Sequence, residues 1–411
     1  MIALRDYQED ISNRAAALLA KYKMAYLAME CRTGKTLTAL AAAAKYGATS
    51  VLVISKVKAL PSIRSDYELL KPSYTLDTIN YESAHKVSGK YDLIIIDEAH
   101  SLGAYPKPSV RTKNIKKLCK KLPIIYLSGT PSPESFSQLY HQFWVSDFSP
   151  FKLYATFYKW AREFVRVVPK MVNGYSIMDY SNANKAKIDR YTKHLFIDYT
   201  QEEAGFEANI EETELTVPMS AWTRNAINTI YRDKVLQGKN CVILGDTPAK
   251  LMSKMHQLSS GTVIAEDGTT FITDRSKAEF IKSYFHGQKK AIFYCYQAEE
   301  VLLKETFPNW TSIPEEFQES TDKIFISQVR RAREGVRLDT ADALIFYNLE
   351  YSYLSYEQGR NRLSSKERKE PARVYFIKSD CGIEDYILGA VHDKTDFTLS
   401  FYSKKLLKRG Y

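Results

Sequence analysis

The sequence predicts an α/β protein built from two parallel-sheet domains in tandem. Short apolar runs alternate with helical patterns in the first 147 residues, and the same alternation resumes after residue 209. Apolar runs bounded by polar or turn residues are typical of strands that helices cover on both faces, as in a parallel sheet. The chain of 411 residues is long enough for two or three domains.

The first domain is predicted over residues 1–147 and the second over residues 209–411. Strand runs of the first are VLVI at 51–54, LIIID at 93–97 and PIIYLSG at 123–129. Strand runs of the second are KAIFYCY at 290–296, KIFIS at 323–327, ALIFYN at 343–348 and RVYFI at 373–377. Each domain therefore has enough strands for a sheet of its own.

Residues 148–208 lie between these domains and differ from both in composition. Aromatic and basic residues dominate, as in FSPFKLYATFYKWAREFVRVV, without a comparable strand run. We therefore expect a mainly helical appendage and linker. A series of glutamates without Lys or Arg follows, and a solvated face or linker explains it better than a binding role. These glutamates are Glu202, Glu203, Glu207, Glu211, Glu212 and Glu214.

Composition narrows the possible classes of protein. Lys and Arg number 58 against 48 Asp and Glu, and the net charge of +10 suits either solubility or an anionic partner. The five cysteines are far apart and lack metal-site spacing, so we expect neither a disulfide framework nor a zinc site. The longest apolar runs fall well short of the ~20 residues of a membrane span, so we expect a cytoplasmic protein.

A phosphate-binding loop is predicted between the apolar run AYLAM and an alanine-rich helix. Gly34 lets backbone N–H groups turn around a phosphate, Lys35 reaches the outer phosphates, and the Thr36 hydroxyl suits Mg²⁺ at a helix N-terminus. The full pattern has a glycine five residues before Gly34, where this chain has Met29. The loop alone is therefore a moderately specific signal.

Two adjacent acids strengthen the prediction. The run LIIIDEAH ends a buried strand with Asp97 and Glu98, about 60 residues after Gly34. In such a pair one carboxylate holds the water shell of Mg²⁺ and its neighbour polarises the attacking water. A solvated strand end is the competing interpretation, and the preceding phosphate loop argues against it.

Together, these segments resemble a superfamily 2 helicase or translocase of the DEAH-box-containing, Swi/Snf-like branch, in a compact form similar to the stand-alone versions of phages. The resemblance covers most of the chain and depends on the order of its motifs. They are LRDYQ at 4–8, AMECRTGKT at 28–36, VLVISKVKAL at 51–60, INYES at 79–83, DEAH at 97–100, LSGTP at 127–131, REGVRLDTAD at 333–342 and QGRNR at 358–362.

The resemblance implies two RecA-like domains with ATP hydrolysed at their interface. Implied nucleotide contacts are Arg5, Gln8, Thr33, Gly34, Lys35, Thr36, Gly335 and Gln358. Catalysis is implied for Lys35, Asp97 and Glu98, and Mg²⁺ binding for Thr36 and Asp97. Coupling between nucleotide and nucleic acid is implied for His100, Ser128 and Thr130, although a Ser-Gly-Thr-Pro segment read without the family is an ordinary turn.

The second domain is expected to supply an arginine finger, whose charge reaches the γ-phosphate from outside the phosphate loop. The family pattern is Gln, two residues, Gly-Arg, two residues, Arg. This chain departs from it, because aligning Gln358 selects Arg362 and aligning Gly359 selects Arg360. Both arginines are candidates, and Arg368 is a further one for which surface solvation is the better explanation.

The positive charge is clustered, which favours a nucleic-acid partner over solubility alone. The stretch between His100 and Pro133 contains no acid and these bases: Lys107, Arg111, Lys113, Lys116, Lys117, Lys120 and Lys121. A second group, interleaved with aromatics that helical spacing assigns mainly to a core, is Lys152, Lys159, Arg162, Arg166 and Lys170. The tail adds Lys404, Lys405, Lys408 and Arg409. The resemblance implies further nucleic-acid contacts at Ser55, Lys56, Tyr81, Ser327 and Gln328.

The sequence thus predicts a monomeric, nucleic-acid-dependent ATPase acting as a DNA helicase or double-stranded DNA translocase. DNA is preferred over RNA on the resemblance alone, and a protein partner is possible without being evident. An ATP-gated nucleic-acid clamp shares every motif and stays open as an alternative, as does an RNA helicase. A small-molecule kinase with a phosphate loop is disfavoured by the DEAH and SGTP segments.

Overall fold

A computed structural model describes residues 2–172, 175–205, 210–238, 241–332, 336–363 and 368–393. The chain divides into two compact units, residues 1–205 (unit 1) and 206–411 (unit 2). The predicted boundary between residues 208 and 209 and the basic tail both lie outside the described residues. Among the described residues, no helix is long and apolar enough to span a membrane.

Unit 1 alternates helices and strands over its first 144 residues. Its elements there are α1 (Asp6–Tyr22), β1 (Met24–Met29), α2 (Lys35–Tyr46), β2 (Ser50–Ser55), α3 (Leu60–Leu70), β3 (Thr75–Asn80), β4 (Leu93–Ile96), α4 (Val110–Cys119), β5 (Ile124–Leu127) and α5 (Gln138–Trp144). All three strand runs predicted for the first domain are confirmed, as β2, β4 and β5.

Six of the described strands of unit 1 form a parallel sheet in the order β3-β2-β4-β5-β1-β8, where β8 is Phe196–Tyr199. Both faces of the sheet are buried. Tyr26 of β1 and Ile94 of β4 belong to one apolar cluster, and their neighbours Ala25 and Ile95 belong to the cluster on the opposite face. This two-sided burial explains why the strands appear as continuous apolar runs.

The predicted appendage contains helices and also strands. The helices are α6 (Phe157–Phe164) and α7 (Lys185–Thr192), and the strands are β6 (Val168–Val172), β7 (Tyr175–Asp179) and β8. The sequence pattern did not indicate these strands, because β6 and β7 form an exposed two-stranded hairpin and β8 is a short edge strand. Phe151, Phe157 and Trp160 are buried, as expected of core aromatics.

Unit 2 repeats the alternation. Its elements are β9 (Ile210–Val217), α8 (Ala221–Asp233), β10 (Val235–Gln237), β11 (Val242–Leu244), α9 (Pro248–Ser259), β12 (Thr262–Ile264), β13 (Thr270–Ile272), α10 (Ser276–Tyr284), β14 (Lys290–Tyr294), α11 (Gln297–Thr306), β15 (Trp310–Thr311), α12 (Pro314–Glu319), β16 (Ile324–Gln328), α13 (Val329–Ala332), β17 (Ala343–Phe346), α14 (Tyr353–Arg360), β18 (Ala372–Ser379) and α15 (Glu384–His392). The four strand runs predicted for the second domain are confirmed, as β14, β16, β17 and β18.

Within the described part of unit 2, six strands form a parallel sheet in the order β15-β16-β14-β17-β18-β9. The acidic stretch ends in β9 at one edge of this sheet, so residues 210–217 are not a linker. Glutamates on an edge strand keep one side of the strand in water and discourage pairing with further strands. The prediction of an α/β protein with two parallel-sheet, RecA-like domains is confirmed.

Candidate active site

Three neighbouring strands bring the motifs of unit 1 to one edge of the sheet. Strand β5 pairs with β1 on one side and with β4 on the other, and all three are parallel. The phosphate loop follows β1, Asp97 and Glu98 follow β4, and Ser128 follows β5. Because parallel strands present their carboxyl ends at the same edge, these residues meet at one site.

The phosphate loop has the backbone geometry of an anion-binding nest. Arg32 and Gly34 adopt the left-handed conformation, with φ of 64° and 81°. Helix α2 begins at Lys35, and the first backbone N–H groups of a helix have no partner within it. These N–H groups and the helix dipole favour a phosphate at this end of α2.

Side chains of the loop hold its own backbone. The Thr33 hydroxyl is buried and donates to the Glu30 carbonyl at 2.8 Å, and Lys35 Nζ donates to the same carbonyl at 3.4 Å. Thr33 therefore supports the loop from inside. Lys35 and Thr36 lie in the first turn of α2 and are partly exposed, as contact with a nucleotide requires.

Gln8, a predicted nucleotide contact in the first turn of α1, lies against the loop. The Arg5 backbone N–H donates to Gln8 Oε1 at 3.0 Å, and a Cβ added to Gly34 would lie only 2.3 Å from Gln8 Nε2. The amide of Gln8 thus occupies the space that any side chain at position 34 would need. Gly34 is required twice, for its positive φ and for this close approach.

Three further residues support the loop, and none of them was among the predicted nucleotide contacts. The Tyr7 hydroxyl donates to the Thr33 carbonyl at 2.9 Å, and its ring stacks on Tyr199 with 4.6 Å between centroids. Gln201 donates from its backbone to Glu30 Oε2 at 2.8 Å and from its side chain to the Cys31 carbonyl at 2.9 Å. Tyr7 adjoins the motif residue Gln8, whereas Tyr199 and Gln201 carry no local sequence signal.

Asp97 is held by a neighbouring strand. Ser55, at the end of β2, is buried and donates to Asp97 Oδ2 at 2.6 Å. Burial and the adjacent charge of Glu98 raise the pKa of Asp97 to about 6, against the opposing effects of Ser55 and Lys35. A bound cation would favour the ionised form of this carboxylate.

Glu98 has a strained backbone and a buried carboxylate oxygen. Its φ of 51° is uncommon for a residue with a side chain, and such strain is concentrated at functional sites. Among the described residues, Glu98 Oε2 has no hydrogen-bond partner, although His100 Nδ1 lies 3.3 Å away. An oxygen in this state can accept a hydrogen bond from a water molecule.

His100 connects the acidic segment to the turn after β5. Its Nδ1 lies 3.0 Å from Ser128 Oγ, and Ser128 Oγ accepts from the Thr130 backbone N–H at 3.1 Å. A hydrogen on Nδ1 has two acceptors within reach, Ser128 Oγ and Glu98 Oε2. The three predicted coupling residues therefore form one chain that ends beside Glu98.

The same turn lies directly on the phosphate loop. A Cβ added to Gly129 would be 3.3 Å from the Met29 carbonyl and 3.5 Å from the Cys31 backbone nitrogen. The turn therefore contacts the loop directly and the acids through His100. A shift of the loop, the acids or the turn would therefore displace the other two, because packed backbone cannot deform freely.

The part of unit 1 that contains the two acids and the Ser-Gly-Thr turn also matches a known family. Residues 62–133 match the family model described as Type III restriction enzyme, res subunit. The chain carries a superfamily 2 helicase-like domain. The match spans the acids and the Ser-Gly-Thr turn but neither the phosphate loop nor unit 2. No curated protein matches the chain.

The residues at this edge of the unit 1 sheet fit Mg²⁺ bound together with a nucleotide. Magnesium in phosphate-transfer sites is held by one or two side chains, with phosphates and water completing its shell. Asp97 and the Thr36 hydroxyl offer this number of oxygen ligands. The described residues contain no cluster of three or more His, Cys, Asp or Glu side chains suited to a metal, so those residues alone offer no complete cage.

In unit 2, the two candidate arginines have different surroundings. Arg360 ends α14 partly exposed, and its guanidinium contacts Glu212 Oε1 at 3.0 Å and Glu357 Oε2 at 3.0 Å. Burial opposes the charge of Arg360, but these carboxylates raise its pKa. Arg362 is buried, and its Nε donates to the Gln358 carbonyl at 2.8 Å.

The positions of the other predicted residues of unit 2 indicate less about their roles. Gln358 is buried, and its Oε1 has no hydrogen-bond partner among the described residues. Arg368 donates to the backbone carbonyls of Asp339 and Ala341, so it has a structural role. Gly335 lies outside the described residues.

The residues predicted to contact nucleic acid are mostly enclosed. Ser55 and Tyr81 are buried and bond the acidic segment, since the Tyr81 hydroxyl donates to the Asp97 carbonyl. Their side chains support the acids, and a contact with nucleic acid stays a prediction for both. Ser327 is 9% exposed and Gln328 Nε2 donates to the Cys295 carbonyl at 2.7 Å, whereas Lys56 is partly exposed.

The basic stretch after the acids forms α4 and the residues on either side of it. Two of its basic side chains contact other side chains of unit 1. Arg111 pairs with Glu82 at 2.5 Å, and Lys116 lies 3.5 Å from the centroid of the Trp144 ring. The remaining bases are exposed and form a cationic surface of unit 1, the α4 surface. It consists of Lys107, Lys113, Lys117, Lys120 and Lys121.

The contact between Gln8 and Gly34 can be isolated with a matched pair of glycines. Gly47 also has a positive φ, 83°, but an added Cβ there would meet nothing within 4 Å. Gly47→Ala should therefore lower stability by about 1 kcal/mol through backbone strain alone. Gly34→Ala should cost more and weaken binding of a fluorescent ATP analogue at least tenfold.

Adding Gln8→Ala to Gly34→Ala should recover part of the lost stability, because it removes the atom that the new Cβ meets. The measurements are denaturant unfolding and nucleotide titration. Equal stability losses for Gly34→Ala and Gly47→Ala would contradict the close contact.

Proposed function

We propose that the protein is a nucleic-acid-dependent ATPase of the DEAH-box, Swi/Snf-like type, acting as a DNA helicase or double-stranded DNA translocase. The observation that carries this proposal is the chain of contacts from Glu98 through His100 to Ser128 and Thr130, beside the phosphate loop. Such a connection would let a movement of the turn reach the site of hydrolysis. The helicase-like family match covers these same residues.

In this proposal, residues of unit 1 perform the hydrolysis. The loop N–H groups and Lys35 neutralise the phosphates, and Thr36 and Asp97 would hold Mg²⁺, which would supply further positive charge there. Glu98 Oε2 accepts a hydrogen bond from the attacking water and takes its proton. Its strained backbone and buried surroundings restrict the directions in which this oxygen can point.

His100 links this chemistry to the nucleic acid. When its Nδ1 hydrogen points to Glu98, the carboxylate is held in place, and when it points to Ser128 the carboxylate is released. A movement of the Ser128–Thr130 turn on nucleic-acid binding therefore changes the position of the catalytic base. This switch gives a physical reason why ATP turnover would depend on the track.

The α4 surface is proposed as part of the nucleic-acid track. Exposed lysines in a stretch of sequence without acids attract phosphates regardless of base sequence, as a motor that moves along DNA requires. An ATP-gated clamp would use the same surface. An RNA helicase would also use it. ATPase rates measured with DNA and with RNA therefore decide which polymer the protein prefers.

The first test concerns hydrolysis. Glu98→Gln keeps the shape of the side chain but removes the base, so it should bind ATP normally and lower turnover at least 10²-fold. Lys35→Ala should lose both ATP binding and turnover. The matched control is Glu68→Gln, which changes an exposed acid on α3 and should leave the rate unchanged.

These rates are measured with single-stranded DNA, duplex DNA, RNA and no nucleic acid. Stimulation of the unmodified protein by DNA supports the proposal, and strand-separation and triplex-displacement assays then distinguish unwinding, translocation and clamping. Normal turnover in Glu98→Gln, or a rate that is insensitive to every nucleic acid, would refute it.

The second test concerns the arginine finger, which we assign to Arg360 because Arg362 is buried. Arg360→Ala should slow turnover by about 10³-fold or more while ATP affinity changes little. Glu357→Gln breaks one of its ion pairs but keeps the guanidinium, so turnover should survive. Arg232→Ala, which removes an exposed arginine of the same unit, is the control.

A purely structural Arg360 gives a different pattern. Glu357→Gln would then reproduce the effect of Arg360→Ala, and both variants would lower the thermal stability of the protein together. Full activity after replacement of both Arg360 and Arg362 would place the finger elsewhere in the chain.

A further inference from the structure

One carboxylate joins the edge strand of the unit 2 sheet to the helix that carries the proposed arginine finger. Glu212 lies on β9, and its Oε1 accepts a hydrogen bond from Arg360 Nη1 at 3.0 Å. Both carboxylate oxygens of Glu212 also lie 2.9 Å from the hydroxyl of Tyr356, one turn earlier on α14. The Tyr356 hydroxyl therefore holds Glu212 in the position from which it binds Arg360.

Further contacts surround the guanidinium of Arg360. Its Nη2 donates to Glu357 Oε1 at 3.2 Å, and its Cζ lies 5.3 Å from the centroid of the Tyr356 ring. An arginine placed over the face of a tyrosine is attracted by the ring. Two carboxylates and one aromatic face therefore engage the positive charge, and the Arg360 side chain is left 29% exposed.

The two carboxylates differ in how they are placed. Glu357 lies three residues before Arg360 on α14, so its ion pair is local to the helix. Glu212 lies on another element, and β9 pairs with β18 along its whole length, so the sheet sets its position. His392 Nε2 is 3.8 Å from Glu212 Oε2, beyond hydrogen-bond distance. One carboxylate is enough to neutralise the arginine, so the second carboxylate leaves these two acids and one base with a surplus of negative charge.

This arrangement opposes the role proposed for Arg360. An arginine finger acts by placing its charge on the γ-phosphate, so a guanidinium that is paired with carboxylates must first leave them. Carboxylate and phosphate oxygens both accept charge-assisted hydrogen bonds from the same N–H groups of arginine. The contact with Glu212 therefore has to break before that N–H group can bind a phosphate.

A neighbouring glutamate shows what a structural ion pair on this strand looks like. Glu214 lies two residues further along β9, on the same face of the strand, and its Oε2 is 2.6 Å from Lys378 Nζ on β18. This pair joins two adjacent strands of the sheet, and neither residue is proposed for catalysis. Glu212 instead reaches α14 and binds the proposed finger.

We propose that Glu212 is a positioning residue that competes with the γ-phosphate for Arg360 and thereby keeps ATP turnover low until nucleic acid is bound. This inference rests on the proposed function, because it assigns the regulation of the arginine finger. Arg360 has two alternative partners, the carboxylate and the phosphate. Ligands that bind more tightly when Arg360 is on the phosphate shift it there.

The test separates the charge of Glu212 from its place in the fold. Glu212→Gln keeps the size of the side chain and an oxygen for the Tyr356 hydroxyl but removes the negative charge. Its matched control, Glu214→Gln, removes the same charge from the same face of β9. Tyr356→Phe leaves Glu212 in place but removes the hydroxyl that holds it. ATP turnover is measured without nucleic acid and with a saturating amount of the nucleic acid that stimulates the unmodified protein, and melting temperatures are recorded.

Glu212→Gln should raise turnover without nucleic acid by about fivefold or more, because the guanidinium loses a charge-assisted hydrogen bond that opposes catalysis. The stimulated rate should stay that of the unmodified protein, so the ratio of the two rates falls. Tyr356→Phe should act in the same direction by a smaller factor, and Glu214→Gln should change neither rate. Adding Glu212→Gln to Arg360→Ala should leave the rates of Arg360→Ala unchanged.

The possible failures are distinguishable. Full activity of Arg360→Ala would remove the finger assignment made in the proposed function. A slow Arg360→Ala together with an unchanged unstimulated rate in Glu212→Gln would overturn the restraint by Glu212 alone. An increase that persists after Arg360 is replaced would also overturn it, because the effect would not act through the guanidinium.

A structural role for Glu212 predicts another pattern. Both rates and the melting temperature would then fall together in Glu212→Gln. In that case Tyr356→Phe decides, and an unstimulated rate that does not rise in this variant contradicts the inference.

Discussion

The site depends on one constraint, the parallel pairing of β5 with β1 and with β4. Because these three strands end at the same edge, the phosphate loop, the two acids and the Ser-Gly-Thr turn are brought together without any long side chain. The close approach of Gly129 to the backbone of Met29 and Cys31 then leaves little freedom between them. Two-sided burial of the sheet holds the strands in this register.

Contacts from neighbouring side chains further restrict the conformation of the loop and the acids at this edge of the sheet. Gln8 closes against Gly34, Gln201 bonds the two residues that begin the loop, and Ser55 holds Asp97. The strain at Glu98 persists because its surroundings are fixed in this way. The loop is therefore arranged for a phosphate, and the carboxylate for a water molecule, before either one binds. Such preorganisation lowers the reorganisation that hydrolysis would otherwise require.

The sequence was sufficient for the parts of the structure that leave a local pattern. Buried strands such as β4 and β14 are continuous apolar runs, and the DEAH and GKT segments mark the chemistry. Edge strands leave no such signal, so β8 was missed and β9 was interpreted as a solvated face or linker. The contacts of Gln201 join positions about 170 residues apart. Whether Arg360 or Arg362 is accessible depends on how the end of α14 packs, which a motif alignment cannot decide.

The central claim is that Glu98 and the Ser-Gly-Thr turn act as one unit through His100. A double-mutant cycle of His100→Ala and Ser128→Ala tests it most directly, with ATP turnover measured with and without saturating DNA. Each single variant should lose most of the stimulation by DNA while it keeps basal turnover, and the double variant should be no worse than either single one. Losses that multiply in the double variant, or stimulation that survives both substitutions, would contradict the account.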